Sequence, residues 1–181
     1  MSIFSNPAER SREEAAAYTT AILDLLGDAS PHDVLKQTHA RLRDLIAPLS
    51  AQQLATPEAA GKWSVGQVLR HLADSEVVWG FRMRMVLAHD RPAITGYDQD
   101  LWAQRLHYDE ADPADSVREF GVLRDGNLRL LARASEADLE RVGVHAERGE
   151  ESVRHMMKLY AGHDLLHLRQ IARIARAVTA S

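Results

Sequence analysis

At 181 residues and 20.2 kDa the chain is the size of one domain with a real core, and two domains would be cramped. Its net charge is -4 and its 22 basic residues are scattered, which argues against nucleic acid as a partner; the absence of cysteine rules out disulfides and thiolate ligands. Met1 to Arg10 offers no apolar core for a signal peptide, and no stretch approaches the roughly 18 apolar residues of a membrane span, so a cytoplasmic protein without a membrane partner is expected.

Apolar residues recur at spacings of three and four while sustained alternation is missing, so the expected fold class is all-α. A first helix covers about Ala8 to Leu26 and ends at Gly27. A second opens at Ser30-Pro31-His32-Asp33, with Ser30 as cap, Pro31 in the first position and Asp33 completing a capping box, and runs to about Ala47. A further capping box, Ser64-Val65-Gly66-Gln67, opens a long helix that ends near His89. Asp90 to Asp112 reads as a long connection with a helical turn around Asp100 to Gln104. Antiparallel neighbours do not need so long a link, so the flanking helices are expected to run parallel. Asp112-Pro113 starts a helix to about Ala134, Ser135 to Asp138 caps a short turn, and the last helix spans about Glu151 to Val178. The result is a four-helix bundle over residues 30–181 preceded by an extra N-terminal helix in residues 1–29, one domain overall, without repeats or low-complexity tracts.

Nine histidines stand out, and their placement carries the information. In the last helix Val153, Met156, Tyr160, His163, His167, Ile171, Ile174 and Val178 form one stripe, with His163 and His167 at the centre of the face that should be buried. A buried imidazole without a partner costs about 1–3 kcal/mol per unsatisfied group. Histidines at i and i+4 can share one ion, and Zn²⁺ binding to peptide sites reaches roughly 10–16 kcal/mol. A third ligand is needed, and His71, one turn inside the helix that opens at Ser64, is the best placed. The plainer account is a polar network for the pair and a capping or core hydrogen bond for His71.

A second anomaly lies in the helix after Pro113, where Arg124 and Asn127 occupy the centre of the stripe Val117, Phe120, Arg124, Asn127, Leu131, Ala134. A buried guanidinium must be paired. Arg124 is therefore a structural ion-pair partner, an anion-recognising group beside a cavity, or a side chain that snorkels to solvent. Gly162 costs about 1 kcal/mol inside a helix, which close approach of a helix or ligand would justify.

The segments Trp63 to Glu76 and Gly162 to Ile171, with Tyr97 to Ala103, Arg124, Asn127 and His145 to Gly149, resemble the DinB-like (DinB/YfiT) superfamily of metal-dependent enzymes over about residues 30–176. The resemblance implies a bundle of up-down-down-up order that is often a homodimer. It also implies one divalent ion, Zn²⁺ or Ni²⁺, on His71, His163 and His167. Leu166 departs from the family pattern, where many members have another histidine. Characterised relatives include enzymes that use low-molecular-weight thiols.

Three neutral imidazoles leave a coordination position open, as catalytic sites do, so a small-molecule substrate is expected. The leading expectation is a thiol-dependent S-transferase in which Arg124, with Asn127 as a second catalytic candidate, steers an anionic group. The alternatives are a hydrolase that activates water at the metal and a non-enzymatic bundle whose metal is structural. Asp98, Asp100, Trp102 and Tyr160 are candidate pocket-wall or substrate-binding groups; His145 and His155 are expected to be surface or capping groups. The run His163-Asp164-Leu165-Leu166-His167 also looks like the His-Glu-x-x-His signature of zinc proteases, with Asp164 in the place of the base.

Overall fold

The computed structural model describes residues 12–180, which form eight helices and three short strands. Helix α1 (Arg12–Leu26) stops at Gly27, whose φ of +52° is the left-handed conformation that ends helices; the expected start at Ala8 lies outside the described residues. Helix α2 (Pro31–Ile46) begins with the Ser30 hydroxyl accepting from the Asp33 N–H at 3.3 Å. The Asp33 carboxylate does not complete the expected box and lies 3.6 Å from His32.

Ser50 opens a five-residue helix, α3 (Ala51–Ala55), by a full capping box with Gln53. Ser64 and Gln67 do the same for α4 (Val65–Ala88), as its sequence signals. After strand β1 (Ala93–Ile94), α5 (Gln99–Arg105) is capped by Asp98 and α6 (Pro113–Leu131) by Asp112. A single turn, α7 (Glu136–Leu139), leads into strands β2 (Val142–His145) and β3 (Gly149–Ser152), and α8 (Val153–Thr179) closes the chain.

The fold is helical as expected, and the chain adds one small sheet beside the bundle: β1 pairs parallel with β2, and β2 pairs antiparallel with β3. Arg141, just before β2, donates to the carbonyls of Val86 and His89, which ties the small sheet to the end of α4.

Cross-helix pairs give the direction of each bundle helix. Gly66 faces Pro113, Arg70 bonds Glu119 and Arg84 bonds Asn127, so α4 and α6 run parallel, as the long connection predicts. Leu35 meets Arg124 and His39 meets Phe120, so α2 opposes α6; His71 meets His167 and Trp79 stacks on Tyr160, so α8 opposes α4. The order is up-down-down-up for α2, α4, α6 and α8.

The core is divided. One apolar cluster contains Leu35, Trp79, Met83, Val86, Ile94 and Met156; the other contains Leu42, Leu69, Leu72, Phe120, Ile171 and Ile174. Between them, at mid-bundle, lies a belt of buried polar side chains: Glu76, Arg124, Asn127, Asp164 and His167.

Helix α1 packs against α8 beside this belt. A Cβ on Gly162 would overlap the carbonyl oxygen of Ile22, so close helix approach is what the glycine permits.

Candidate metal centre

The stripe on α8 and the first turns of α4 bring three imidazoles together. His163 Nε2 lies 3.2 Å from His71 Nε2 and 3.1 Å from His167 Nε2. One potential ligand atom from each ring falls within 4.8 Å of the others. Nitrogens held tetrahedrally at about 2.0–2.1 Å from one ion are about 3.3 Å apart, so the two spacings from His163 match shared coordination.

Hydrogen bonding among the rings fits less well. If His167 donates from Nδ1 to Gln170 Oε1, 2.8 Å away, its Nε2 presents a lone pair to the cluster. His163 Nε2 then faces two nitrogens with a single proton or a single lone pair, and cannot match both. A cation satisfies all three lone pairs at once. His71 Nδ1 and His163 Nδ1 have no hydrogen-bond partner among the described residues.

Burial holds all three rings neutral. It lowers the His71 and His163 pKa values well below 6.5, with neighbouring rings adding to the effect, and lowers that of His167 to about 4 despite its Gln170 bond. Neutral imidazole is the ligating form.

The ring of Trp63 covers one side of His71 at 5.3 Å, and on another side Ser75 Oγ lies 3.5 Å from His71 Nε2 and 3.4 Å from the Tyr97 hydroxyl. His163 opens on a cavity of about 60 Å³ whose polar lining includes Ser75, Arg82, Tyr97, Gln99, Arg148 and Tyr160, and whose far wall is α1 through Tyr18, Thr19 and Ile22. Room for roughly four waters at about 15 Å³ each suits a small ligand or a small part of a larger one.

Arg124 is 1% exposed and lies in the polar belt. Its guanidinium donates to Glu76 Oε1 at 2.6 Å, to Asp164 at 2.7 and 3.1 Å, and to the Leu35 carbonyl at 2.7 Å. Asn127 donates to Glu76 Oε2 at 3.1 Å and to the Glu76 carbonyl at 3.2 Å, and accepts from Arg84 at 2.9 Å. Burial alone would lower the Arg124 pKa; Asp164 and Glu76 outweigh it and hold the guanidinium charged.

Of the roles open to Arg124 in the sequence, the structural ion pair is the one observed. Neither Arg124 nor Asn127 lines the cavity beside His163. Asp164, 1% exposed and clamped by Arg124, is likewise not positioned as the base of a protease-like site.

Tyr160 does line the cavity and stacks on Trp79 with ring centres 4.8 Å apart; burial pushes its pKa up to about 12. Trp102 packs on Tyr97 at 4.6 Å and faces a separate apolar groove with Val77 and Phe81. Asp100 is exposed in the first turn of α5 and is not part of the cavity lining.

Of the two roles expected for His145, surface or capping, the surface one does not hold: it is 2% exposed on β2, its Nδ1 accepts from the Glu147 N–H at 3.2 Å, and burial and Arg148 lower its pKa to about 4. Arg82, Gln99 and Ser75 line the cavity without a signal that singles them out among the sequence motifs. Ser75, Trp79, Arg82 and Val86 follow one another at spacings of four, three and four, so the stripe could have exposed Arg82 as a cation on a buried face.

A family model for the DinB superfamily matches residues 34–171. The chain belongs to the DinB superfamily. Within it, the chain is 31% identical over 169 residues to a Bacillus licheniformis protein bearing the name "Putative metal-dependent hydrolase", covering 93% of this chain and 89% of that one. It is 29% identical to the Bacillus subtilis protein "Putative metal-dependent hydrolase YfiT", over 79% of this chain and 81% of that one. The solved structure of YfiT from Bacillus subtilis superposes with a TM-score of 0.75 at 25% identity, over 96% of this chain and 92% of that one. That protein is described as "a probable metal-dependent hydrolase with an unusual four-helix bundle topology".

Proposed function

We propose that this DinB-superfamily chain is a metal-dependent hydrolase of small molecules, with one divalent ion held by His71, His163 and His167. The convergence of three Nε2 atoms at 3.1 and 3.2 Å on the wall of a cavity carries this reading. Neutral imidazoles suit Zn²⁺ and Ni²⁺ among the available ions. Held by these three neutral side chains, such an ion would supply Lewis acidity toward water near neutral pH.

The chain's own residues have distinct parts. Gln170 fixes the His167 ring so that Nε2 points into the cluster, the arrangement in which an outer partner orients a ligand. Ser75 and Tyr97 form a pair of hydroxyls beside His71 that can pass a proton away from the reacting centre. Trp63 and Tyr160 restrict water around the rings. The hydrolytic alternative is also the activity carried in the names of the relatives, whereas thiol transfer finds no support in them.

The test is hydrolysis of small esters and amides of two types, neutral ones such as p-nitrophenyl acetate and carboxylate-bearing ones such as N-acetyl amino acids, by protein loaded with Zn²⁺ or Ni²⁺. Turnover is expected to vanish on chelation and in His167→Ala, and to return to the wild-type chain on adding metal. Turnover unaffected by chelation, or none from fully loaded protein across both substrate types, contradicts the proposal.

A further inference from the structure

Arg82 is 8% exposed, on the buried face of α4, and the described residues offer it only neutral partners. Its Nη2 donates to the Thr95 carbonyl at 2.6 Å, and its guanidinium sits 6.0 Å from the Tyr97 ring centre. No carboxylate among the described residues forms an ion pair with it. The other buried guanidinium groups in the same region are neutralised: Arg148 is forked onto Glu151, and Arg124 onto Glu76 and Asp164. A buried cation without a counter-charge is costly, so a site that keeps one is built to meet an anion.

Arg82 lines the same small cavity as His163, together with Gln99, a buried amide whose side chain has no hydrogen-bond partner among the described residues. We propose that Arg82 is the anion-recognition group of this cavity and that the small molecule it admits carries a carboxylate. Charge selects a carboxylate over a phosphate. The uncompensated charge in the cavity wall is a single positive one, whereas a phosphate monoester carries about -1.5 to -2 at pH 7. The planar fork of a guanidinium matches the two carboxylate oxygens. In this arrangement the substrate is anchored by its carboxylate at Arg82 while its reacting group faces the imidazoles.

The inference extends the hydrolase reading to a substrate class, and its test separates the two. Acetate, its neutral isostere acetamide and inorganic phosphate are titrated into metal-loaded and metal-stripped protein and followed by calorimetry. Metal content is measured independently. Acetate is expected to bind both forms, acetamide neither, and Arg82→Gln is expected to weaken acetate by about tenfold or more in both. Arg82-dependent binding in the stripped protein sustains the inference even if the histidines take up no metal. Unchanged acetate affinity in folded Arg82→Gln, equal binding of acetamide, or tighter binding of phosphate overturns it. Arg82→Lys serves if the glutamine variant does not fold: it keeps the charge but loses the fork, a weakening of several-fold is expected, and unchanged affinity is contradictory.

Discussion

The charged residue that draws most notice in the sequence, Arg124, is a load shared by three helices. It joins Glu76 on α4, Asp164 on α8 and the Leu35 carbonyl on α2, with all three side chains almost fully buried. Removing one member of such a group strands charge in the interior and costs about 3–5 kcal/mol, while its replacement as a whole by apolar residues can be neutral. Arg124→Met alone is therefore expected to lower stability by about that amount in urea denaturation. The triple change with Glu76→Leu and Asp164→Leu is expected to recover most of the loss. Equal destabilisation by the single and triple variants would show that the ion pairs themselves, and not the stranded charges, carry the energy. The burial of Arg124 is legible in its stripe, but periodicity cannot tell which buried partner a guanidinium meets. Its pairing with Glu76 and Asp164 is set by three helices that lie far apart in sequence.

At the scale of elements, the helices were largely legible because their signals are local: Ser64 with Gln67, Asp112 with Pro113, and Ser30 with Pro31 each mark a start. The short α3 had its signal too, in Ser50 and Gln53. The hairpin of β2 and β3 did not. Its inward positions on β2 are Gly143 and His145, while Val144 is 38% exposed, so the apolar alternation that marks a strand is inverted. The histidine cluster was readable because His163 and His167 share one stripe and His71 lies on the helix facing them. The cavity beside them was not readable, because α1 builds one wall and its place against α8 depends on tertiary approach. Gly162 permits that approach. Gly162→Ala is expected to push α1 outward and to destabilise the fold by roughly 1–3 kcal/mol by overpacking, outweighing the gain in helix propensity. Urea denaturation with metal analysis on the same samples checks this. A stabilised variant contradicts the proposed fit of α1, and lost metal contradicts its being confined to the wall.

At the scale of the whole molecule, two apolar clusters enclose a polar belt, so the bundle is expected to stay folded without metal near neutral pH. Acid should change that. The three imidazoles have folded pKa values below the 6.5 they have when unfolded, as does His145 at about 4. A depressed pKa means that the unfolded chain binds protons the folded chain refuses. The resulting stability is complete above pH 6.5 and is lost as pH falls below it, toward about 4 for His167 and His145, by up to about 1.4 kcal/mol per pH unit for each ring that takes up its proton. Thermal melts of metal-free protein between pH 7.5 and 4.5 should therefore fall steeply below pH 6.5, and addition of Zn²⁺ at pH 7.5 should raise the melting temperature. A flat profile contradicts the neutral, buried state of the rings. The most direct test of the account is X-ray absorption spectroscopy at the zinc edge on protein loaded with one equivalent of Zn²⁺, compared with His71→Ala. Three imidazole nitrogens at about 2.0–2.1 Å plus one light-atom ligand are predicted for the wild type, and two imidazoles or no retained zinc for the variant. A wild-type spectrum without imidazole scattering, or an identical spectrum from His71→Ala, would contradict it.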